Sequence, residues 1–137
     1  FYGYVVVDVP LLVSNLTGVP PEHWGDTNTD RALAAKVVEH LIHLIATVSP
    51  GAKKGSTAPY AYAQTMLIEA GSRQPRTLAS AFEKSVRAAS DTSLAAAAES
   101  ALFDRLAAFD RAYGAKEARR FLSLVIPRRA YQTPPSS

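Results

Sequence analysis

The chain contains no cysteine, a single methionine and a single tryptophan. Without thiols it can build neither a disulfide framework nor a thiolate metal centre, which agrees with a cytoplasmic protein. No run of about eighteen apolar residues occurs, so the pattern spans no membrane and no membrane partner is expected. The opening, Phe1-Tyr2-Gly3-Tyr4, has no basic segment ahead of an apolar run, so no signal peptide is expected. G-x-S-x-G, H-E-x-x-H, C-x-x-C and acidic pairs at strand ends are all missing, and with them the usual arrangements for nucleophilic, metal-assisted and redox chemistry. The three histidines do not replace them. His40 and His43 share a helix pattern with Glu39, an incomplete zinc set, and His23 lies in a loop beside Trp24. No metal, no cofactor and no catalysis are therefore expected. A small metal-independent ribonuclease, needing only His, Lys and Tyr in one cleft, is the weakest reading.

What is present is enough for one core: 137 residues, 47% of them hydrophobic. The expected organisation is a single α+β domain over residues 1–127 and a flexible tail over 128–137, where Pro134, Pro135 and Ser137 have the composition of a disordered end. The chain opens at Phe1 inside a strand pattern with no cap or turn ahead of it, so it is expected to be the C-terminal piece of a longer protein. The net charge of +3 and pI near 9.3 are mild for a nucleic-acid binder, and the distribution matters more than the total. Asp8, Glu22, Asp26 and Asp30 make the front acidic. Lys53, Lys54, Arg73, Arg76, Arg119, Arg120, Arg128 and Arg129 place the basic charge later and suggest one basic face.

Periodicity supplies the elements. Phe1 to Val9 alternates as a half-buried strand does, with Tyr2 and Tyr4 on one face, and Pro10 ends it. That spacing suits either cross-strand packing or the stacking of bases. Leu11 to Leu16 is expected to form one helical turn, Thr17 to Gly25 a loop, and Trp24 to plug a core edge. Asp30 to Val48 reads as a well-buried helix with Leu33, Val37, Leu41, Leu44 and Val48 on its apolar stripe. Ala61 to Ala70 is the second strand, Ser72 to Arg76 a polar connection, and Thr77 the cap of a helix that buries Leu78, Ala81, Phe82 and Val86. Another helix is expected from Thr92 to Tyr113, stopped by Gly114, and a last strand from Arg120 to Ile126 with Leu122, Leu124 and Ile126 inward. Helices on one face of a small sheet make an α+β sandwich.

Between the first long helix and the second strand lies Pro50-Gly51-Ala52-Lys53-Lys54-Gly55-Ser56-Thr57-Ala58-Pro59-Tyr60. Gly51 and Gly55 let a backbone approach a ligand closely. Lys53, Lys54, Ser56 and Thr57 supply charge and donors, which is how a loop binds phosphate. The lysines precede the second glycine, unlike the G-x-x-x-x-G-K-[ST] order of a nucleotide P-loop, so a polynucleotide backbone is the better partner.

The segment order resembles the backbone subunit of the type I-E CRISPR surveillance complex Cascade, the CasC family within the Cas-seven group. Four pieces carry the resemblance: Phe1-Tyr2-Gly3-Tyr4 entering a strand; the helix with His40-Leu41 and Ala46-Thr47; Pro50-Gly51-Ala52-Lys53; and Ala79-Ser80-Ala81-Phe82-Glu83-Lys84-Ser85-Val86. It covers Phe1 to Val86 well and Ala88 to Ser137 only in the order helix then strand. The resemblance implies a partial RNA-recognition-motif-like (ferredoxin-like) palm, present in several copies along a CRISPR RNA, that does not cut nucleic acid. It further implies that target DNA is met through the guide, and that other copies of the chain and other Cascade subunits are neighbours. Lys53, Lys54, Gly55, Ser56, Thr57 and Tyr60 are then expected to face the guide backbone. Arg73 and Arg76, more basic than the family pattern at Arg73-Gln74-Pro75-Arg76, are expected to contact nucleic acid or another subunit. The alternative is a structural or protein-interaction module whose basic residues only solvate it.

Overall fold

A computed structural model describes residues 2–48, 61–88, 90 and 92–125. The chain divides into two compact units, Phe1–Ala63 and Gln64–Ser137.

In the first unit the expected opening strand does not form: residues 2–8 are exposed and belong to no ladder. A strand needs a neighbour to take its backbone hydrogen bonds, whereas a helix start needs only local chemistry, and that is present here. The Asp8 carboxylate accepts from the Leu11 N–H at 2.9 Å, and Pro10 occupies the first turn, where a missing N–H costs nothing. The result is α1, Val9–Thr17, longer than the single turn expected. It ends at Gly18, whose φ of 75° lets its N–H reach the Ser14 carbonyl at 2.8 Å. After a 3-10 turn at Pro21–His23, the Asp30 carboxylate accepts from the Ala32 N–H, and α2 runs over Ala32–Thr47, close to the expected span.

Helices α1 and α2 pack together around Val13 and Ala34, both buried. Helix α2 as a whole is not well buried. Val38 and Ile42, on the Ala34 side, are half-buried, but Leu33, Val37 and Leu44 are 55%, 39% and 52% exposed. The wide apolar surface read from the sequence is therefore two stripes, of which α1 covers one.

The second unit is built on β1, Thr65–Ala70, and β2, Ala118–Ser123, paired antiparallel with Thr65 opposite Ser123 and Glu69 opposite Arg119. Between them in sequence runs α3, Leu94–Tyr113, capped by Ser93, whose Oγ accepts from the Ala96 N–H at 3.1 Å. Gly114 stops it as expected, at φ 77°. Both strands are shorter than the sequence pattern, and the face of β2 that meets α3 is the opposite one. Phe121 packs edge-on against Phe103, and Ser123 and Thr65 both donate to Glu99. Leu122 and Leu124, expected inward, are 46% and 58% exposed. The expected helix after Thr77 shrinks to a 3-10 turn at Ala79–Phe82. Thr77 does accept from the Ala79 N–H, but of the apolar stripe only Leu78 is fully buried, too little packing to extend a helix.

The fold is α+β: three α-helices and a two-stranded antiparallel sheet among the described residues. None of the described helices is long and apolar enough to cross a membrane.

Candidate functional site

The segment 50–60, with Lys53, Lys54, Gly55, Ser56, Thr57 and Tyr60, lies outside the described residues. Arg73 and Arg76 lie inside them, and the fold brings them to one place, at the C-terminal end of α3.

The cross-strand pair Glu69 and Arg119 projects from the sheet face that α3 covers, and Asp110 comes down on the pair from the helix. Arg119 grips Asp110 with a two-pronged fork, Nη1 to Oδ2 at 2.6 Å and Nη2 to Oδ1 at 2.7 Å, while its Nε donates to Glu69 at 2.7 Å. Such forks use the planar guanidinium in a way an ammonium cannot match. The hydrogen bonds to Asp110, aided by Glu69, raise the Arg119 pKa above its ordinary value against the opposing effect of burial.

Arg73 and Arg76 complete the cluster from the connection that follows β1. Arg73 Nε donates to Glu117 at 2.7 Å, and its two terminal nitrogens donate to the carbonyls of Tyr113 and Gly114 at 2.9 and 2.7 Å. Those carbonyls close α3 and have no helical partner, so Arg73 is the clamp on that helix end. Arg76 Nη2 donates to Glu69 at 3.1 Å, its Nη1 lies 3.4 Å from Glu117, and the guanidinium sits 5.3 Å above the Phe109 ring. Its buried Nε has no hydrogen-bond partner among the described residues. Glu117 answers both cations. Burial pushes its pKa up, but the Lys116 N–H, the Arg73 side chain and neighbouring Arg76 outweigh that and leave it below the ordinary value.

Three guanidiniums thus face three carboxylates, Glu69, Asp110 and Glu117, and the cluster is electrically neutral. Arg73 and Arg76, singled out in the sequence as cations for a nucleic acid, are committed to internal carboxylates. Sequence reasoning missed Arg119's partners altogether. The two main ones, Asp110 and Glu69, stand 9 and 50 positions away, beyond any local pattern, and the signal for them was an acidic residue on each element beside the basic connection.

Beside the cluster is an open cleft of about 240 Å3 lined by Arg73, Gln74, Arg76, Phe109, Tyr113 and Gly114. The Phe109 and Tyr113 rings are 6.0 Å apart and tilted by 32°.

Tyr2 and Tyr4, offered by the sequence as stacking residues on a sheet, are 40% and 48% exposed and belong to no sheet. His40 donates from Nδ1 to the Lys36 carbonyl at 2.7 Å, a bond within its own helix. Among the described residues no three histidine or acidic side chains gather as metal ligands. The family described as CT1975-like protein, a CRISPR-associated family, matches residues 1–134. No curated protein matches the chain.

Proposed function

Because the chain belongs to the CT1975-like family of CRISPR-associated proteins, we propose that it is part of a guide-RNA-binding backbone subunit of a cytoplasmic type I-E surveillance complex. In this reading it belongs to a palm of the RNA-recognition-motif kind, stands beside further copies of itself and other Cascade subunits, and holds guide phosphates so that the bases pair with target DNA. It performs no catalysis. The observation that carries the reading is the glycine-bracketed segment Gly51 to Tyr60, with adjacent Lys53 and Lys54 and the hydroxyls of Ser56 and Thr57, in a chain of this family. The neutral cluster at Arg73, Arg76 and Arg119 supports giving the phosphate role to that segment, since the protein's net charge of +3 resides outside the cluster.

Phosphate contacts release counterions, so affinity falls with salt at a slope set by their number. Replacing Lys53 and Lys54 together by alanine is expected to weaken single-stranded RNA binding and flatten the slope of log K against log salt by about 1.4. An unchanged slope removes the segment from the interface. A second reading, a protein-interaction module without nucleic-acid contact, is favoured by the open stripe of Leu33, Val37 and Leu44 on α2. Loss of assembly with intact RNA affinity on changing Leu33, Val37 and Leu44, together with a silent Lys53/Lys54 pair, selects it. A labelled RNA incubated in chelator and left uncut disposes of the ribonuclease.

A further inference from the structure

We propose that the cleft at the end of α3 is a seat for the chain's own proline pair, Pro134-Pro135, which lies against Tyr113 as an extended polyproline segment and covers that ring until a competing segment displaces it. This goes beyond the RNA-binding reading and does not depend on it.

The cleft limits the chemistry of its occupant. Arg73 has spent its Nε and both terminal nitrogens on Glu117 and on the carbonyls of Tyr113 and Gly114, and Arg76 is stacked over Phe109 and tied to Glu69. With three cations balanced by three carboxylates, neither an anion nor a cation gains much here. What remains is one flat ring and one amide. The Tyr113 ring is 70% exposed, the most open of the large apolar side chains described, and leans on Phe109 at its back. The Gln74 side chain is exposed, and its amide has no partner among the described residues. An aromatic face beside a hydrogen-bond donor suits a proline-rich segment. Its pyrrolidine rings pack on the aromatic face, and its carbonyls, which have no partners within a polyproline helix, accept from the donor. A cavity of roughly 150 Å3 holds benzene, a larger ring than pyrrolidine, so the cleft of about 240 Å3 has room for a proline pair. Gly114 keeps its rim low, since no side chain rises there.

The sequence supplies one segment of that chemistry within the same unit. Residues 130–137, Ala130-Tyr131-Gln132-Thr133-Pro134-Pro135-Ser136-Ser137, carry no charge, which matches a neutral cleft. Reach then selects the prolines. Val125, the last described residue, follows the end of the sheet where Ser123 faces Thr65, whereas the cleft lies past the opposite end, where Ala118 faces Ala70. Seven residue steps separate Val125 from Ala118, about 24 Å of strand. A segment turning back along the sheet in the polyproline conformation brings Tyr131 only about 19 Å from Val125, short of Ala118. Pro134 and Pro135 reach about 28–31 Å, past Ala118 and as far as the cleft. Both partners are also preorganised. Proline has its φ fixed in advance, and Arg73 holds the backbone that carries the Tyr113 ring, so little ordering remains to be done on docking.

The test is made on the whole protein carrying Trp24→Phe and Tyr113→Trp, so that position 113 holds the single tryptophan, and reads its emission and its quenching by acrylamide. The Arg73 clamp survives Tyr113→Trp because it holds the backbone carbonyl. Pro134→Ala with Pro135→Ala, and separately a chain ending at Arg129, are expected to shift the emission to longer wavelength and to raise the quenching constant, with the circular dichroism spectrum unchanged. A synthetic peptide of residues 126–137 added to the shortened chain is expected to reverse both effects. On the intact chain it acts only above the effective concentration of the tethered segment, about a millimolar. Gln74→Ala in the shortened chain is expected to weaken the peptide roughly 2- to 13-fold, the loss of one hydrogen bond. If intact and shortened chains give the same emission and quenching, nothing of the segment sits on position 113 and the proposal is refuted. If a peptide with alanine at both proline positions reverses the effects as well as the native one, the seat does not recognise proline and the proposal is refuted equally. No arm reads RNA affinity, so either failure leaves the RNA-binding reading standing.

Discussion

Arg119 and Glu117 show how much one side chain can carry in so small a unit. The Arg119 side chain is 7% exposed and is the only residue that ties β1, β2 and α3 together through charge among the described residues, by way of Glu69 and Asp110. Arg119→Ala leaves two carboxylates in a poorly solvated place without their main partner, and breaking such a pair typically costs about 3–5 kcal/mol. Arg119→Lys is expected to recover only part of this, because an ammonium cannot make the two-pronged contact with Asp110. Urea unfolding of the three proteins checks the order. Glu117 adds a dependence on pH. Its pKa in the folded protein lies below the ordinary 4.5, so its contribution is complete above that value and is lost as the pH falls through the lower native one. Glu117→Gln is therefore expected to be less stable than the wild type at neutral pH and to show a flatter stability profile below about pH 4.5. Unfolding at a series of pH values reads the difference directly. None of these partnerships is visible locally: Arg73 finds Glu117 across 44 positions, and the basic Arg73-Gln74-Pro75-Arg76 segment reads as surface until its acidic partners are in place.

Elements whose determinants are local were legible in the sequence, and those that depend on a neighbour were not. Helices α2 and α3 follow from their apolar period and end near their caps, Asp30 at one start and Gly114 at one finish. Residues 2–8 alternate as a strand should, yet form no strand, and the Asp8 cap with Pro10 hands the chain to α1 instead. The strand β2 was found, but its covered face was assigned by hydrophobicity. The helix that covers it presents Glu99 and Asp110, so the inward residues are Ser123 and Arg119 beside Phe121. Gly114 is the element boundary most open to test. At φ 77° and ψ 145° it occupies backbone space that a residue with a Cβ enters only with strain, although a Cβ there meets no atom within 4 Å. Gly114→Ala is thus expected to cost about 1–3 kcal/mol through conformation alone and to loosen the Arg73 hold on its carbonyl. Gly25→Ala, equally open in space and without a positive φ, is expected to be close to neutral. Thermal unfolding of the two variants separates conformational strain from packing.

At the scale of the whole molecule, charge and burial are arranged for different purposes. The buried apolar residues among those described are few, Val13 and Ala34 in the first unit and Leu78 and Leu106 in the second, and the polar cluster joins β1, β2 and α3 beside the small core of the second unit. It does so without contributing to the net charge, and a polyanion responds to the charge that lies elsewhere. This separation predicts opposite signatures for two sets of cations. Arg76→Gln removes a contact to Glu69 and the cover over Phe109, and is expected to cost about 1.5–3 kcal/mol, the range for a hydrogen bond to a charged group. Measured well below its melting temperature, the same variant is expected to keep the wild-type salt slope for RNA, because the charge it loses was already balanced by Glu69 and Glu117. Lys53→Ala with Lys54→Ala is expected to do the reverse, leaving the melting temperature within a degree or two and lowering the slope. Equal loss of slope in both proteins means that Arg76 faces phosphate and that the cluster is an electrostatic surface, with its internal pairs opening when RNA arrives.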